Sequence, residues 1–245
     1  MVHDILLTAG KIAVSSRILE DESMIQIRNL LPTCMIAMLL AFPVASSAET
    51  ILDEWSSVKA PPPPELKSVT LDPKTTAVLV IDLIKQTCNE QRRPRCVASI
   101  PKVEKLLADA RAHGATVIYS LFPSPNPAAF PNPVISDYVP AVAPKGDEPV
   151  VTSFVDKFAL GDKDTGLQKI LKDKGITTIV PVGTTPHNGV LFTSVAAALR
   201  GFNPVVPVDG MSGNNTYEDQ AATYILANSI VYKVTLTSID MIKFK

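Results

Sequence analysis

The sequence AVLVID at residues 77–82 places five apolar side chains in a row and ends them with a carboxylate. A continuous aliphatic run of this length is typical of a strand that is buried on both faces, as the strands of parallel sheets are. Similar apolar runs follow along the chain, and they predict strands over residues 115–119, 176–182, 204–208 and 230–234.

Helical periodicity separates these runs. Apolar residues at helical spacing predict helices over residues 101–113, 165–174, 189–200 and 217–228, with Pro101 in the first turn of the first helix. Because parallel strands need crossover helices, this alternation predicts an α/β fold, a three-layer α/β/α sandwich around a mostly parallel, doubly wound sheet. Ligands of such sheets bind beyond the carboxyl ends of the strands. The candidate positions are therefore Asp82, residues 120–122, residues 183–189 and Asp209.

The composition argues against several classes of protein. The 245 residues include 23 basic and 24 acidic side chains, a net charge of −1, which leaves no surplus of positive charge for a nucleic acid. Neither a glycine-rich dinucleotide loop nor a phosphate-binding loop follows a predicted strand, so we expect no nucleotide cofactor. Three cysteines are too few for a small domain built on disulfides. A small molecule is therefore the expected partner.

Residues 1–48 predict a signal peptide region that is not part of the domain. Arg28 precedes an apolar segment at residues 30–44, and small residues at 46–48 form a cleavage site. A membrane anchor is the alternative, but the segment is shorter than the roughly 20 residues that a span needs. Met24 is a candidate for the true start. We therefore expect an exported protein, periplasmic or secreted, whose mature chain has no membrane span.

A proline-rich arm, residues 49–70, connects this region to the predicted domain, residues 71–245. Its consecutive prolines at 61–64 favour an extended spacer, and a partner that binds proline-rich segments is the alternative. A second proline-rich segment, residues 123–149, is longer than an ordinary connection. Such a segment predicts a lid or wall over a site.

Two cysteines flank a basic run in the loop after Asp82. Cys88 and Cys96 are eight positions apart, and in an exported chain this spacing predicts a disulfide that fixes the loop. Free thiols are the alternative. The run between them, RRPR at residues 92–95, is either solvated surface or an attraction for an anionic substrate.

Five motifs, taken in order, resemble those of the isochorismatase-like hydrolases. The resemblance extends over about residues 71–240, nearly the whole predicted domain. It implies the α/β fold of that family and hydrolysis of a small molecule. The motifs are residues 77–82, residues 156–158 (DKF), residues 165–176, the loop at residues 182–193 (VGTTPHNGVLFT) and residues 197–210.

The resemblance also implies how such a chain would work. Most members of the family carry a nucleophilic cysteine six residues after the loop glycine, Gly183 here, and this chain has Gly189 at that position. It is therefore similar to the branch without a nucleophilic cysteine, the true isochorismatases. In that branch an acid protonates an enol ether, water captures the oxocarbenium ion and pyruvate leaves. Carried over to this sequence, Asp82 is the acid, Lys157 is its electrostatic partner and Gly189 makes room for the substrate.

The loop after Gly183 is expected to contact the substrate. The resemblance implies substrate binding by Thr184, Thr185, His187 and Asn188. It also suggests a cis peptide bond in this loop, which we expect between Thr185 and the proline that follows it, because proline lowers the cost of the cis form.

The residues themselves leave alternatives open for each catalytic role. Asp82 is also a suitable residue to cap a turn, and His187 is as suited to bonding the backbone as to contacting a ligand. Lys145 and Lys163 are nearby surface alternatives to Lys157.

The predicted function is hydrolysis of a small carboxylated metabolite, with vinyl-ether hydrolysis that releases pyruvate as the model reaction. The resemblance implies neither a metal nor a cofactor, since SLFPSP at residues 120–125 lacks the metal ligands of the family's nicotinamidases. Ile84 replaces a glutamine of the family, and a catalytically inactive exported member that binds small molecules is the alternative function. Family members often form dimers or tetramers, so a homo-oligomer stays an open expectation.

Overall fold

The computed structural model describes residues 50–245, so the expected signal peptide region, residues 1–48, lies outside the described residues. The chain divides into two units after Val58. The described part of the first unit contains one helical turn, α1, Ile51–Glu54. The second unit begins at Lys59 and contains all the features discussed below. Between residues 50 and 245, no helix combines the length and apolarity that a membrane span requires.

The second unit alternates strands and helices along the chain. Its strands are β1 Val69–Leu71, β2 Thr76–Ile81, β3 Thr116–Leu121, β4 Val150–Thr152, β5 Ala159–Leu160, β6 Lys163–Asp164, β7 Thr178–Gly183, β8 Asn203–Pro207, β9 Thr235–Thr237 and β10 Ile242–Phe244. Its helices are α2 Pro94–Ala112, α3 Leu167–Asp173, α4 Leu191–Leu199 and α5 Thr216–Asn228.

Six of these strands form a parallel sheet in the order β4-β3-β2-β7-β8-β9. The chain starts at the centre with β2, adds strands on one side and then returns to the other side of β2 with β7. This reversal confirms the predicted doubly wound sheet. It also opens a crevice between the carboxyl ends of β2 and β7, where ligands of such sheets bind. Outside this sheet, β1 pairs with β10 in parallel and β5 pairs with β6 in an antiparallel hairpin.

The central strand β2 separates the two helical layers. Val78 and Val80 pack in a buried cluster with Leu107 of α2. Leu79 and Ile81 pack on the opposite face, in a cluster that includes residues of α3 and α4. Successive side chains of a strand point to opposite faces, so a strand covered by helices on both sides has to be apolar throughout. The apolar run at residues 77–81 therefore corresponds to a strand that is covered by a helical layer on each face.

Helix α2 begins earlier than predicted, and the placement of Pro101 in its first turn was wrong. The helix starts at Pro94, and Pro101 lies inside it at an exposed position. Pro94 suits the first helical position, because that position needs no N–H donor and proline already has the required φ. Pro101 removes one backbone hydrogen bond from the helix interior, a defect that the apolar packing of the following turns tolerates.

The last predicted strand was also placed wrongly. Residues 230–234 form no strand, and β9 begins at Thr235. The Ser229 hydroxyl accepts hydrogen bonds from the backbone N–H groups of Val231 and Tyr232, which closes a turn. Ile230 is fully exposed at this turn. An apolar run predicts a strand only where it is covered along its length, and here Val234 packs partly against the core while Ile230 and Val231 are exposed.

Replacement of the interior proline should stabilise the fold. Pro101→Ala is expected to raise the free energy of unfolding by about 1–3 kcal/mol, since proline is roughly 3 kcal/mol worse than alanine inside a helix and stiffens the unfolded chain by up to about 1 kcal/mol. Urea unfolding of the protein measures the change. The matched control is Glu104→Ala at an exposed position of the same helix, expected to change stability by less than about 0.5 kcal/mol. No gain over that control would contradict the prediction.

Candidate active site

A cavity of about 320 Å³ lies at the carboxyl ends of β2 and β7. Loops after both strands line it, together with the loop after β3 and the segment before β5. This position is the crevice that the doubly wound sheet creates. The lining residues are Asp82, Thr87, Arg92, Arg93, Phe122, Pro123, Pro125, Phe154, Val155, Thr184, Thr185, Asn188 and Gly189.

The backbone of Asp82 is held in an unusual conformation at the end of β2. Its φ is +51°, in the left-handed region that side chains other than glycine rarely adopt. The Asp82 carbonyl oxygen accepts hydrogen bonds from the backbone N–H of Ile84 at 2.9 Å, the Thr87 hydroxyl at 2.6 Å and the Thr184 hydroxyl at 3.2 Å. Three donors on the Asp82 carbonyl oxygen hold the backbone in place and so fix the direction of the side chain. Strained backbone persists only where the surrounding structure holds it in this way.

The Asp82 carboxylate is buried and fully hydrogen-bonded. Its Oδ2 lies 2.7 Å from Nζ of Lys157, and its Oδ1 accepts a 2.8 Å hydrogen bond from the Ser120 hydroxyl. Burial raises the pKa of this carboxyl above its usual value, while the charge of Lys157 and the two hydrogen bonds oppose the rise. A carboxyl with a raised pKa can hold a proton at pH values where an exposed aspartate cannot. Asp82 therefore has the physical character of a general acid.

Lys157 is completely buried beside this carboxylate. Besides Asp82, its Nζ donates hydrogen bonds to the carbonyl oxygens of Ser153 at 2.9 Å and Phe154 at 3.0 Å, so all three ammonium protons have acceptors. The alternatives Lys145 and Lys163 are exposed. The structure thus brings Lys157, and neither alternative, to the acid.

The loop after β7 differs in detail from its predicted form. Gly183 has a φ of +131°, and a Cβ there would overlap the carbonyl oxygen of Ile81, so only glycine fits. The cis peptide bond joins Thr184 to Thr185, one residue before the expected position. A turn of π-helix, Pro186–Val190, follows before α4 begins. The predicted helix start at residue 189 therefore lies within this turn.

Gly189 lines the cavity and leaves no space for a side chain on the present backbone. A Cβ at this position would lie 2.8 Å from Cγ2 of Ile81 and 3.1 Å from the carbonyl oxygen of Thr184. Distances this short require the buried Ile81 side chain to move. Gly189 lets the backbone of the loop approach the last residue of β2.

The predicted substrate-binding residues separate into two groups. Thr184, Thr185 and Asn188 line the cavity. His187 is not among the lining residues, and its Nδ1 lies 3.4 Å from Oε2 of Glu218 in α5, without a well-directed hydrogen bond among the described residues. The structure therefore brings three of the four side chains to one cavity and directs the fourth to a neighbouring helix.

Several residues that contribute to the site were not identified from the sequence. Ser120 belongs to the strand-end positions that the fold class marks, but its bond to Asp82 depends on strand register. Thr87, Arg93 and Phe154 lie in loops whose path no sequence pattern reveals. The basic run indicated that arginines are present, but not that Arg93 is buried.

The loop after Asp82 is closed by the expected disulfide. Cys88 and Cys96 are bonded to each other, with an S–S distance of 2.07 Å. They are the only cysteines between residues 50 and 245, so this part of the chain contains no free thiol. Within the same range, no group of three or more histidine, cysteine, aspartate and glutamate side chains is arranged to hold a metal ion.

A doubly wound parallel sheet with a buried acid–lysine pair at its crevice defines an α/β protein with a small-molecule site. A family model described as an isochorismatase domain matches residues 76–238. The chain belongs to this family, the isochorismatase-like hydrolases. A search among curated proteins found no match.

Solved structures show the same fold. An isochorismatase-like hydrolase from Alkaliphilus metalliredigens is 21% identical, with a TM-score of 0.59 over 68% of this chain and 94% of its own. A cysteine hydrolase from Pseudomonas syringae is 19% identical, with a TM-score of 0.61 over 72% of this chain and 94% of its own. An N-carbamoylsarcosine amidase from Thermoplasma acidophilum is 20% identical, with a TM-score of 0.55 over 68% of this chain and 97% of its own.

Removal of the buried cation should destabilise the protein in a pH-dependent way. Lys157→Met is expected to lower the free energy of unfolding by about 3–5 kcal/mol near neutral pH, the usual cost of truncating one partner of a buried ion pair. Where a carboxyl has a raised pKa in the folded state, the protein loses stability as the pH rises through that pKa. The loss of stability caused by Lys157→Met should therefore be smaller at about pH 5 than at about pH 8. Urea unfolding at both pH values measures it.

Two controls accompany this measurement. The double variant Asp82→Asn/Lys157→Met has no ionisable group in the pair, so its own free energy of unfolding should show no contribution from Asp82 protonation between the two pH values. Lys145→Met, at an exposed position, should change stability by less than about 0.5 kcal/mol. An equal loss at both pH values in Lys157→Met would contradict the raised pKa of Asp82.

The contact between Gly189 and Ile81 gives a second prediction for this site. Gly189→Ala is expected to lower the free energy of unfolding by about 1–3 kcal/mol, the usual cost of overpacking a buried position. In the Ile81→Leu background, which lacks the Cγ2 methyl group, the same substitution should cost less. Thermal or urea unfolding of the four proteins gives the coupling energy. Asn188→Ala is the neighbouring control, and a Gly189→Ala cost that is equal in both backgrounds would rule out the clash.

Proposed function

We propose that the protein hydrolyses a small carboxylated metabolite by acid catalysis from Asp82, without a cysteine nucleophile. The observation that carries this proposal is the buried ion pair of Asp82 and Lys157, of which Asp82 lines the cavity at the sheet crevice. Burial favours the protonated form of Asp82, and the lysine stabilises the carboxylate that remains after the proton has been given away. Acid-catalysed hydrolysis needs a group that donates a proton in one step and is stabilised in its deprotonated form in the next.

The model reaction is cleavage of a vinyl ether that carries a carboxylate. Asp82 gives its proton to the methylene carbon, and the ether oxygen shares the positive charge that forms on the neighbouring carbon. Water adds to that carbon and returns one proton to the Asp82 carboxylate. The resulting hemiketal breaks its bond to the leaving alcohol, which takes up the remaining proton, and releases pyruvate. The net reaction consumes one water and leaves Asp82 protonated again.

The loop after β7 is proposed to hold the substrate next to this acid. Thr184 is fixed to the Asp82 carbonyl oxygen, and Thr185 and Asn188 line the same cavity. The Gly189 backbone lines this cavity and lies against Ile81, too close for a Cβ. Preorganised donors of this kind accelerate a reaction when they face charge that develops in the transition state.

The absence of a cysteine nucleophile is part of the proposal. One solved neighbour is named a cysteine hydrolase and another an N-carbamoylsarcosine amidase. In this chain both described cysteines are in a disulfide, and the position that corresponds by family resemblance to the thiol is Gly189. A vinyl ether can be hydrolysed without a covalent nucleophile. Amide hydrolysis in this fold would need one, and the described residues contain no free thiol to serve as it.

The second candidate function is a binding module that has lost catalysis. The observation that favours it is the complete hydrogen bonding of the Asp82 carboxylate, which Lys157 and Ser120 satisfy without any substrate.

We also propose that the protein works outside the cytosol. The disulfide between Cys88 and Cys96 supports this location, because such bonds persist in oxidising compartments.

The test is pyruvate release from isochorismate by the purified mature chain. Asp82→Asn is expected to lower kcat by at least about 100-fold, since general acid catalysis contributes roughly that much. Asp162→Asn, at an exposed position, is the matched control and should retain full activity. The activity of the unmodified chain should fall as the pH rises through the raised pKa of Asp82, because the acid then loses its proton.

The assay also separates the two candidate functions. Background release by both the unmodified chain and Asp82→Asn would reject vinyl-ether hydrolysis and favour the binding module. A substantial rate that survives in Asp82→Asn would reject Asp82 as the acid.

A further inference from the structure

The guanidinium of Arg93 lies at the wall of the cavity in an unusual state. The residue is only 5% exposed, yet it lines the same cavity as Asp82. Its Nη1 donates a 2.8 Å hydrogen bond to the carbonyl oxygen of Thr87. Its Nε is buried and has no hydrogen-bond partner among the described residues.

This arrangement leaves one edge of the guanidinium without an acceptor among the described residues. Nη1 is engaged, so Nε and Nη2 remain as two parallel donors on the other edge of the planar group. Two parallel N–H donors match the two oxygens of a carboxylate, which is why arginine binds carboxylates in a bidentate manner. A buried donor without an acceptor costs about 1–3 kcal/mol, so a ligand that supplies the acceptor also removes that cost.

The position of Arg93 is fixed relative to the proposed acid. The Arg93 N–H donates to the carbonyl oxygen of Asn89 at 2.8 Å, and its carbonyl oxygen accepts from the N–H of Cys96 at 2.9 Å. The disulfide to Cys88 closes this loop next to Thr87. Thr87 in turn binds both the Arg93 side chain and the Asp82 backbone, so one residue sets the relation between the two groups.

The charges around the cavity favour an anion. Asp82 is the only acidic residue among those lining it, and Lys157 balances its charge. The two lining arginines, Arg93 and the exposed Arg92, are therefore in excess. Glu218 also acts on Arg93 electrostatically, but the structure gives the pair no hydrogen bond, and the Glu218 carboxylate accepts its bonds from neighbouring asparagines.

We infer that Arg93 is the specificity-determining residue for the substrate's carboxylate, which it binds through Nε and Nη2, while Arg92 attracts the anion from solvent. This inference deepens the proposed function and rests on it for the chemical class of the substrate. It assigns recognition of the carboxylate to the loop after β2, which lines the same cavity as the Thr184 loop. The apolar side chains Phe122 and Phe154 then face the remainder of the substrate.

The test uses pyruvate as the probe carboxylate and pyruvamide as its neutral counterpart. In the ¹⁵N-labelled mature chain, the Nε–Hε signal of Arg93, assigned by its loss in Arg93→Lys, should shift saturably with pyruvate and stay in place with pyruvamide. Arg93→Lys keeps the positive charge but loses the two parallel N–H donors. This variant should therefore bind pyruvate at least about tenfold more weakly than the unmodified chain. Arg95→Gln, a charge deletion two positions along the chain in the first turn of α2, at an exposed residue outside the cavity, should bind pyruvate as the unmodified chain does.

Each outcome decides the inference. Equal affinity of Arg93→Lys and the unmodified chain, equal binding of pyruvamide, or an unmoved Nε–Hε signal would overturn it. If Arg93→Lys does not fold, as thermal unfolding would show, the Arg93 Nε–Hε signal is assigned through bonds in the ¹³C,¹⁵N-labelled unmodified chain, and its shift decides alone. The isochorismate assay on the unmodified chain separates this inference from the proposed function, because pyruvate binding that depends on Arg93 in an unmodified chain that releases no pyruvate from isochorismate would keep the anion site and reject only the hydrolysis.

Discussion

The ion pair between Asp82 and Lys157 joins two points of the chain that are 75 residues apart, and the surroundings of the cavity are arranged around it. Taking two charges out of water is costly, and the mutual attraction offsets that cost only when the remaining donors and acceptors are also satisfied. The carbonyl oxygens of Ser153 and Phe154 provide this for the lysine, and Ser120 provides it for the carboxylate.

The same constraint reaches the next shell of residues. The hydroxyl of Tyr138 donates to the carbonyl oxygen of Ser120, which connects the proline-rich segment after β3 to the strand that supports the acid. The Lys157 backbone N–H donates to the hydroxyl of Thr193 in α4, so the lysine loop is tied to the helix that follows Gly189. These bonds connect the stretches around Asp82, Ser120, Tyr138, Lys157 and Thr193 to one buried charge pair. Lys157 and Ser120, which bond the carboxylate directly, both lower the pKa of Asp82 and so oppose the effect of burial.

The fold was predictable because its main determinant is local. A strand with apolar residues on both faces has to be covered by other elements on each face. The sequence of residues 77–81 is apolar at every position and so indicates such a strand. The path of the loops was not predictable in this way. Arg93 and Arg95 are two positions apart in one basic run, yet the first is buried at the cavity and the second is exposed, because loop closure decides burial. Residues 230–234 show the opposite case, in which an apolar run without a covering layer became an exposed turn.

The close approach of Gly189 to Ile81 has a consequence for how this chain can change during evolution. A glycine codon and a cysteine codon can differ by a single nucleotide, so a thiol at residue 189 is within easy mutational reach. The methyl group of Ile81 nevertheless occupies the space that the new side chain would need. A thiol at residue 189 therefore requires a second, compensating change in the central strand, and the two substitutions are epistatic. One methyl group of β2 thus limits which side chains the loop after β7 can carry.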